Sequence, residues 1–185
     1  MNDLRLIRDQ KIIQFDYDQN FKKDDFYISK SNKHIVKLIN DWPKWEKNFL
    51  NINGDRYSGK THLINIFLKK FKGIKFEANS FTNENLEEIK IHQNIVLENL
   101  TKNIDEKLIY SLLNIIDQDN KYLIITTTEP ITEIRFNLKD LKSRTKNFLL
   151  QNINRPDDEL LFALILKNLS DRQISLEKKL INYII

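Results

Sequence analysis

The chain has 185 residues, 41% hydrophobic and 30% charged, with a net charge of +4: enough apolar material for one ordinary core, and a mild basic excess that permits an acidic partner without demanding one. No cysteine is present, which excludes disulfides, thiolate catalysis and zinc–thiolate sites, and the lone histidines His34, His62 and His92 lack metal-ligand spacing. No apolar run approaches the ~20 residues of a membrane span and the N-terminus carries no signal-peptide pattern, so the expectation is a soluble, cytoplasmic protein with no membrane partner.

Residues 1–25 are polar and read as extended. Asn32 is placed to cap a helix from Lys33 to Asp41, with Ile35, Leu38, Ile39 and Trp42 inward and Pro43 as its stop. Phe49 to Asn53 reads as a strand, and Thr61 to Phe71 as a helix with Leu63, Ile64, Phe67, Leu68 and Phe71 at helical spacing. Ile74 to Glu77 and Asn94 to Glu98 are further strands. Asp105 to Ile116 is a helix, and the β-branched run Tyr122 to Thr127 a fully buried strand. A short helix follows at Leu138 to Thr145, then a strand at Phe148 to Ile153. Pro156 opens a helix reaching about Ser170, its start enriched in acids by Asp157, Asp158 and Glu159. A last helix is expected from Leu176 to Ile185. Strands alternating with helices predict an α/β fold, a parallel sheet covered on both faces.

Between the first predicted strand and helix lies Gly54-Asp55-Arg56-Tyr57-Ser58-Gly59-Lys60-Thr61, a full G-x-x-x-x-G-K-[ST] phosphate loop. The chain owns 3 glycines, where average usage gives about 13, and two of them stand at the two positions this loop requires. The spacing has a physical reason. Backbone N–H groups must converge on a phosphate chain around a tight turn, and the following helix adds its positive end. Lys60 neutralises the β- and γ-phosphates, and Thr61 places its hydroxyl on Mg²⁺. Candidate nucleotide-binding residues are therefore Gly54, Asp55, Arg56, Tyr57, Ser58, Gly59, Lys60, Thr61 and His62, with ADP or ATP as the ligand.

Nucleotidases of this kind with an additional strand carry acids at a neighbouring strand end. Here that strand ends Leu97-Glu98-Asn99. Glu98 suits Mg²⁺, but Asn99 cannot polarise an attacking water, because an amide accepts no proton at neutral pH. Nucleotide binding with weak or absent intrinsic hydrolysis is expected. Thr126, Thr127 and Thr128 end the next strand, where their hydroxyls could sense a γ-phosphate.

In this order the motifs resemble the DnaA-related AAA+ proteins, most of all those of the Hda/HdaA type, regulators of replication initiation. The carriers of the resemblance are Asp25-Phe26-Tyr27-Ile28, Asp41-Trp42-Pro43-Lys44-Trp45, the phosphate loop, Leu97-Glu98-Asn99-Leu100, Asp140-Leu141-Lys142-Ser143-Arg144, Arg155-Pro156-Asp157-Asp158-Glu159-Leu160-Leu161 and Asp171-Arg172-Gln173. The resemblance implies a P-loop AAA+ domain at 21–154 with a five-stranded parallel sheet, a truncated helical lid at 155–185, and a mobile segment at 1–20. It implies that Phe26 and Ile28 lie near the adenine, and that Arg144 is an arginine finger offered to another subunit. Within 1–20, Gln10-Lys11-Ile12-Ile13-Gln14-Phe15 fits the Q-x-x-[LI]-x-F peptide with which such proteins dock on the sliding clamp, through Gln10, Ile13 and Phe15. The implied partners are the initiator DnaA and the clamp, with room for self-association and only indirect contact with DNA. Departures from the pattern are Asn99, Thr128 in place of an aspartate, and a sequence ending at Ile185 before a second sensor arginine. The alternatives are a helicase loader or initiator-like AAA+ protein, and a stand-alone small P-loop ATPase.

Overall fold

In the computed structural model, residues 27–174 and residue 179 are described. Within them the chain runs α1 (Lys33–Asn40), β1 (Phe49–Asn53), α2 (Lys60–Phe71), β2 (Ile74–Glu77), a 3₁₀ turn (Ala78–Ser80), α3 (Asn83–Ile89), β3 (Asn94–Glu98), α4 (Glu106–Gln118), β4 (Tyr122–Thr127), α5 (Lys139–Thr145), β5 (Leu149–Asn152) and α6 (Asp158–Asp171). The five strands pair in the order β2-β3-β4-β1-β5, and every pairing is parallel. Strand β4 thus lies between β1, which leads into the phosphate loop, and β3, which ends in Glu98. This is the additional-strand arrangement that the two motifs required.

Alternation along each strand divides the core into two layers. Leu50 and Ile52 of β1, Val96 of β3 and Ile124 of β4 face α1 and α2, packing with Ile35, Ile39, Leu63, Ile64 and Phe67. Phe49, Ile95, Leu97, Leu123 and Ile125 point the other way, against Ile89 of α3, Ile109 and Leu112 of α4, and Leu141 of α5. The Trp-Pro-x-Trp segment has a structural task in the first layer. Trp45 stacks on Phe67 with centroids 5.8 Å apart, Trp42 meets Phe67 edge-on and Phe71 at 4.7 Å, and Trp45 Nε1 donates to the Leu38 carbonyl at 2.7 Å. The segment clasps α1 to α2.

Helix starts follow capping chemistry. Asp105 Oδ1 accepts from the N–H groups of Lys107 (2.9 Å) and Leu108 (3.3 Å), so the helix expected from Asp105 begins one residue later, with Asp105 as its cap. Replacing Asp105 by alanine should lower stability by about 1 kcal/mol, read as a shift of the urea midpoint at unchanged slope. The helix expected to open on Pro156 begins instead at Asp158. Asp157 is its cap, with Oδ1 accepting from Leu160 N at 2.8 Å, and this leaves Pro156 outside the helix. Asn32 departs more: its side chain makes no bond to the helix start. Its Oδ1 accepts from Ser29 N at 3.0 Å and its amide donates to the Tyr27 carbonyl, closing a turn before α1. No periodic signal announces α3, a seven-residue helix held by a capping box between Thr82 and Asn85. The helix expected from Leu176 to Ile185 lies outside the described residues, except Lys179.

Candidate functional site

The first glycine of the loop is there for space. A Cβ on Gly54 would lie 3.0 Å from Ser58 Oγ and 3.1 Å from the Ile153 carbonyl oxygen. The second is there for backbone shape: Gly59 stands at φ 94°, left-handed, immediately before α2. Between them Tyr57 also takes a positive φ of 63°, and its ring is fully exposed. The turn bends the chain so that the open N–H end of α2 faces a cavity of about 590 Å³. Arg56, Tyr57, Ser58, Gly59, Lys60, Thr61 and His62 line one side of the cavity; Asn99, Leu100, Thr101, Thr127 and Thr128 line the other.

Lys60 is buried. Its ammonium donates to the carbonyls of Gly54 and Asp55, both at 2.8 Å, inside the loop. Burial pushes its pKa down, and the charges of Asp55 and Glu98 offset part of that fall. A buried ammonium held at the rim of an amide-lined hollow suits a polyanionic phosphate chain. Of the two residues expected to hold Mg²⁺, Thr61 lines the cavity, whereas Glu98, whose two buried carboxylate oxygens accept no hydrogen bond, already faces a lysine ammonium.

The residues around the acid are arranged differently from the expectation. Glu98 is fully buried, is not among the residues lining the cavity, and forms an ion pair with Lys75 of β2, Nζ to Oε2, at 3.0 Å. That pair lacks hydrogen-bond geometry, so the oxygens remain without a hydrogen bond although a cation is adjacent. Asn99 stands at φ 59° and donates its side-chain amide to Glu77 Oε2 at 2.9 Å. The Thr126 hydroxyl, one of the three expected to sense phosphate, accepts the Asn99 N–H at 2.9 Å and ties β3 to β4. Thr127 and Thr128 do reach the cavity.

Asn51 escaped the sequence reading. Buried in β1, its amide donates to the Ile125 carbonyl and to Thr127 Oγ1, while its Oδ1 accepts from Ile131 N. It orients Thr127 and pins the loop after β4. The signal was available: Asn51 and Asn53 alternate in an otherwise apolar strand, and a buried amide must be satisfied.

The other candidates among the described residues do not line the cavity. Asp55 is exposed, 3.5 Å from Arg155 Nε. Ile28 is exposed and Tyr27 donates its hydroxyl to Glu159 Oε1 at 3.0 Å, setting that segment beside the start of α6. Arg144, in the last turn of α5, lies 3.4 Å from Asp117 Oδ2 and over the Tyr110 ring, both on α4; it is not among the residues lining the cavity. Phe26, Gln10, Ile13 and Phe15 lie outside the described residues. Among the described residues no helix is long and apolar enough to cross a membrane.

Lys60→Ala should weaken binding of a nucleoside triphosphate by about 10- to 100-fold, the worth of one charge-assisted hydrogen-bond set, measured by calorimetry. In the wild type, affinity should decline as pH rises through the lowered pKa of Lys60, because the free ammonium then loses its proton below 10.5. Bound phosphate favours the charged form, so binding in that window should take up a proton, visible as a buffer-dependent heat.

No family model matches the chain. The chain is 27% identical over 187 residues to the chromosomal replication initiator protein DnaA of Thermoanaerobacter sp. (strain X514), covering 87% of this chain and 42% of that protein. It is also 27% identical to DnaA of Borreliella afzelii (strain PKo), covering 87% of this chain and 39% of that protein. The chain thus spans about two fifths of the length of the curated relatives it matches. Among solved structures, domain III of the Thermotoga maritima replication initiation protein DnaA superposes with a TM-score of 0.68 at 17% identity, covering 88% of this chain and 79% of that one. The replication initiator DnaA bound to AMPPCP and single-stranded DNA gives 0.67 at 19%, covering 86% and 57%, and DnaI gives 0.54 at 14%, covering 69% and 84%. Strand order, loop geometry and these likenesses agree that the chain has a DnaA-like AAA+ P-loop fold.

Proposed function

We propose that the chain binds an adenine nucleotide and acts as a regulator of replication initiation, docking on the sliding clamp and promoting ATP hydrolysis by the initiator DnaA. The observation that carries the first half is the phosphate loop itself: Lys60 buried among loop carbonyls, at the mouth of a cavity formed by the start of α2 and the ends of β3 and β4. The AMPPCP carried by the similar initiator structure supports an adenine nucleotide there. Regulation rather than turnover is supported by Asn99, which lines the cavity without a proton-accepting group, its amide spent on Glu77.

The second half rests on Arg144 and on Gln10 to Phe15. Arg144 packs against Asp117 and Tyr110 of α4 and is not among the residues lining the cavity, which supports a role toward the phosphate of another molecule. Gln10, Ile13 and Phe15 supply the clamp peptide. The test is an assay of ATP hydrolysis by the initiator, with and without this protein and DNA-loaded clamp. Stimulation in the complete mixture, lost when Gln10, Ile13 and Phe15 are changed to alanine, is expected. No stimulation in the complete mixture sinks the proposal. Rapid ATP turnover by the purified protein alone would instead favour a stand-alone ATPase.

A further inference from the structure

A carboxylate removed from water without hydrogen bonds is strongly destabilising unless a cation stands against it. Glu98 is in that condition: it is fully buried and neither oxygen accepts a hydrogen bond. What stands against it is Lys75. In the β2–β3 register Lys75 faces Val96, and Glu77 faces Glu98. Lys75 and Glu98 are therefore two positions apart along one face of the sheet, within the span of a lysine side chain. The ammonium reaches Glu98 Oε2 at 3.0 Å and Asn65 Oδ1 of α2 at 3.4 Å, so it is anchored from two elements. From the phosphate-loop side, Lys60 also feels the charge of Glu98. The acid thus has one ammonium of the protein at contact distance.

We propose that Lys75 is a built-in counter-cation for Glu98, a positioning residue that takes the electrostatic place a divalent ion would fill, so that this chain holds its nucleotide with little dependence on Mg²⁺. The proposal rests on the phosphate-loop reading above. The physical reason is competition. A carboxylate already neutralised at contact distance attracts a second cation weakly, and a dication brought beside the buried acid meets repulsion from the ammonium. Lys60 supplies the phosphate-facing charge in either case.

The test measures the affinity of purified protein for ATP by calorimetry, once with Mg²⁺ and once with EDTA. Wild-type affinity is expected to change by less than about 3-fold between the two. Lys75→Gln keeps a donor beside Glu98 but drops the charge, and should gain at least about a tenfold preference for Mg²⁺, a modest fraction of one close charge pair. Lys75→Arg keeps the charge and should behave as the wild type. Circular dichroism melting of each variant separates folding from binding, and the wild-type comparison decides the matter even where Lys75→Gln fails to fold. A tenfold or larger Mg²⁺ preference in the wild type, or a folded Lys75→Gln protein with none, overturns the proposal while leaving the phosphate loop intact. Absence of ATP binding in both buffers overturns the phosphate-loop reading and this inference with it.

Discussion

Replacing Arg144 by alanine is expected to leave folding and nucleotide affinity nearly unchanged while lowering the stimulated ATP hydrolysis of the initiator by about 10³- to 10⁵-fold, the range an arginine finger supplies in other P-loop systems. The two halves of this prediction have separate reasons. Within the chain, Arg144 makes an ion pair with Asp117 at 3.4 Å and lies 5.5 Å over the Tyr110 ring, with its side chain 31% exposed. Surface interactions of that kind are worth about 0–1 kcal/mol, so their loss is small. Arg144 is not among the residues lining the cavity, so nucleotide affinity is expected to stay nearly unchanged. In trans, the planar guanidinium would meet the charge that develops on a transferring phosphoryl group. Arg144→Lys should restore little, because an ammonium lacks the two-pronged geometry. The measurement is the initiator's hydrolysis rate at saturating protein, beside the variant's own ATP affinity. Stimulation that survives Arg144→Ala overturns the finger.

The largest effect on stability is expected at Phe67. Its ring is fully buried and central to the aromatic clasp of Trp42, Trp45 and Phe71. Truncation to alanine removes the packing of three rings at once and leaves a cavity that backbone on both sides is too constrained to fill. A loss of about 3–5 kcal/mol follows, against a total of roughly 5–15 kcal/mol for a domain, and the melting temperature should fall by about 6–20 °C. The effect reaches function because Phe67 anchors the middle of α2, whose first turn carries Lys60 and Thr61. Nucleotide affinity should drop as the helix start loosens. Ile91→Ala, at an 82% exposed position, is the control and should change stability by less than about 0.5 kcal/mol. A Phe67→Ala protein that melts with the wild type would show that the clasp does not hold the first layer together.

Much of the architecture was written in local pattern. All five strands appear where apolar runs or alternation stood, β1 through β4 with the bounds read from sequence: the inner strands β1, β3 and β4 are buried on both faces and mostly apolar, while the edge strands β2 and β5 alternate half-buried and exposed positions. The phosphate loop was legible for a similar reason. Gly59 is demanded by the loop's own left-handed turn and Gly54 in part by Ser58 of the same loop, so most of the requirement is encoded within the loop's spacing, with Ile153 adding a distant contact at Gly54. Helix ends were less legible. Asp105 and Asp157 each act as caps just outside the helix, and periodicity alone does not distinguish a cap from a first turn.

Whatever depends on which strands lie side by side was decided by the tertiary structure alone. The Leu97-Glu98-Asn99 segment announced an acid at a strand end, yet only the pairing of β2 with β3 brings Lys75 to it. Only the insertion of β4 beside β1 lets Asn51 hold Thr127. The pairing of β3 with β4 converts Thr126 from an expected phosphate sensor into the acceptor that fixes Asn99. These partners are separated by tens of residues, and neither propensity nor periodicity carries information over that distance. Sequence determined where the phosphate-loop turn and its glycines stand, since that pattern is largely local; the fold decided which charges surround the acid behind it, since electrostatics acts across space and ignores chain order.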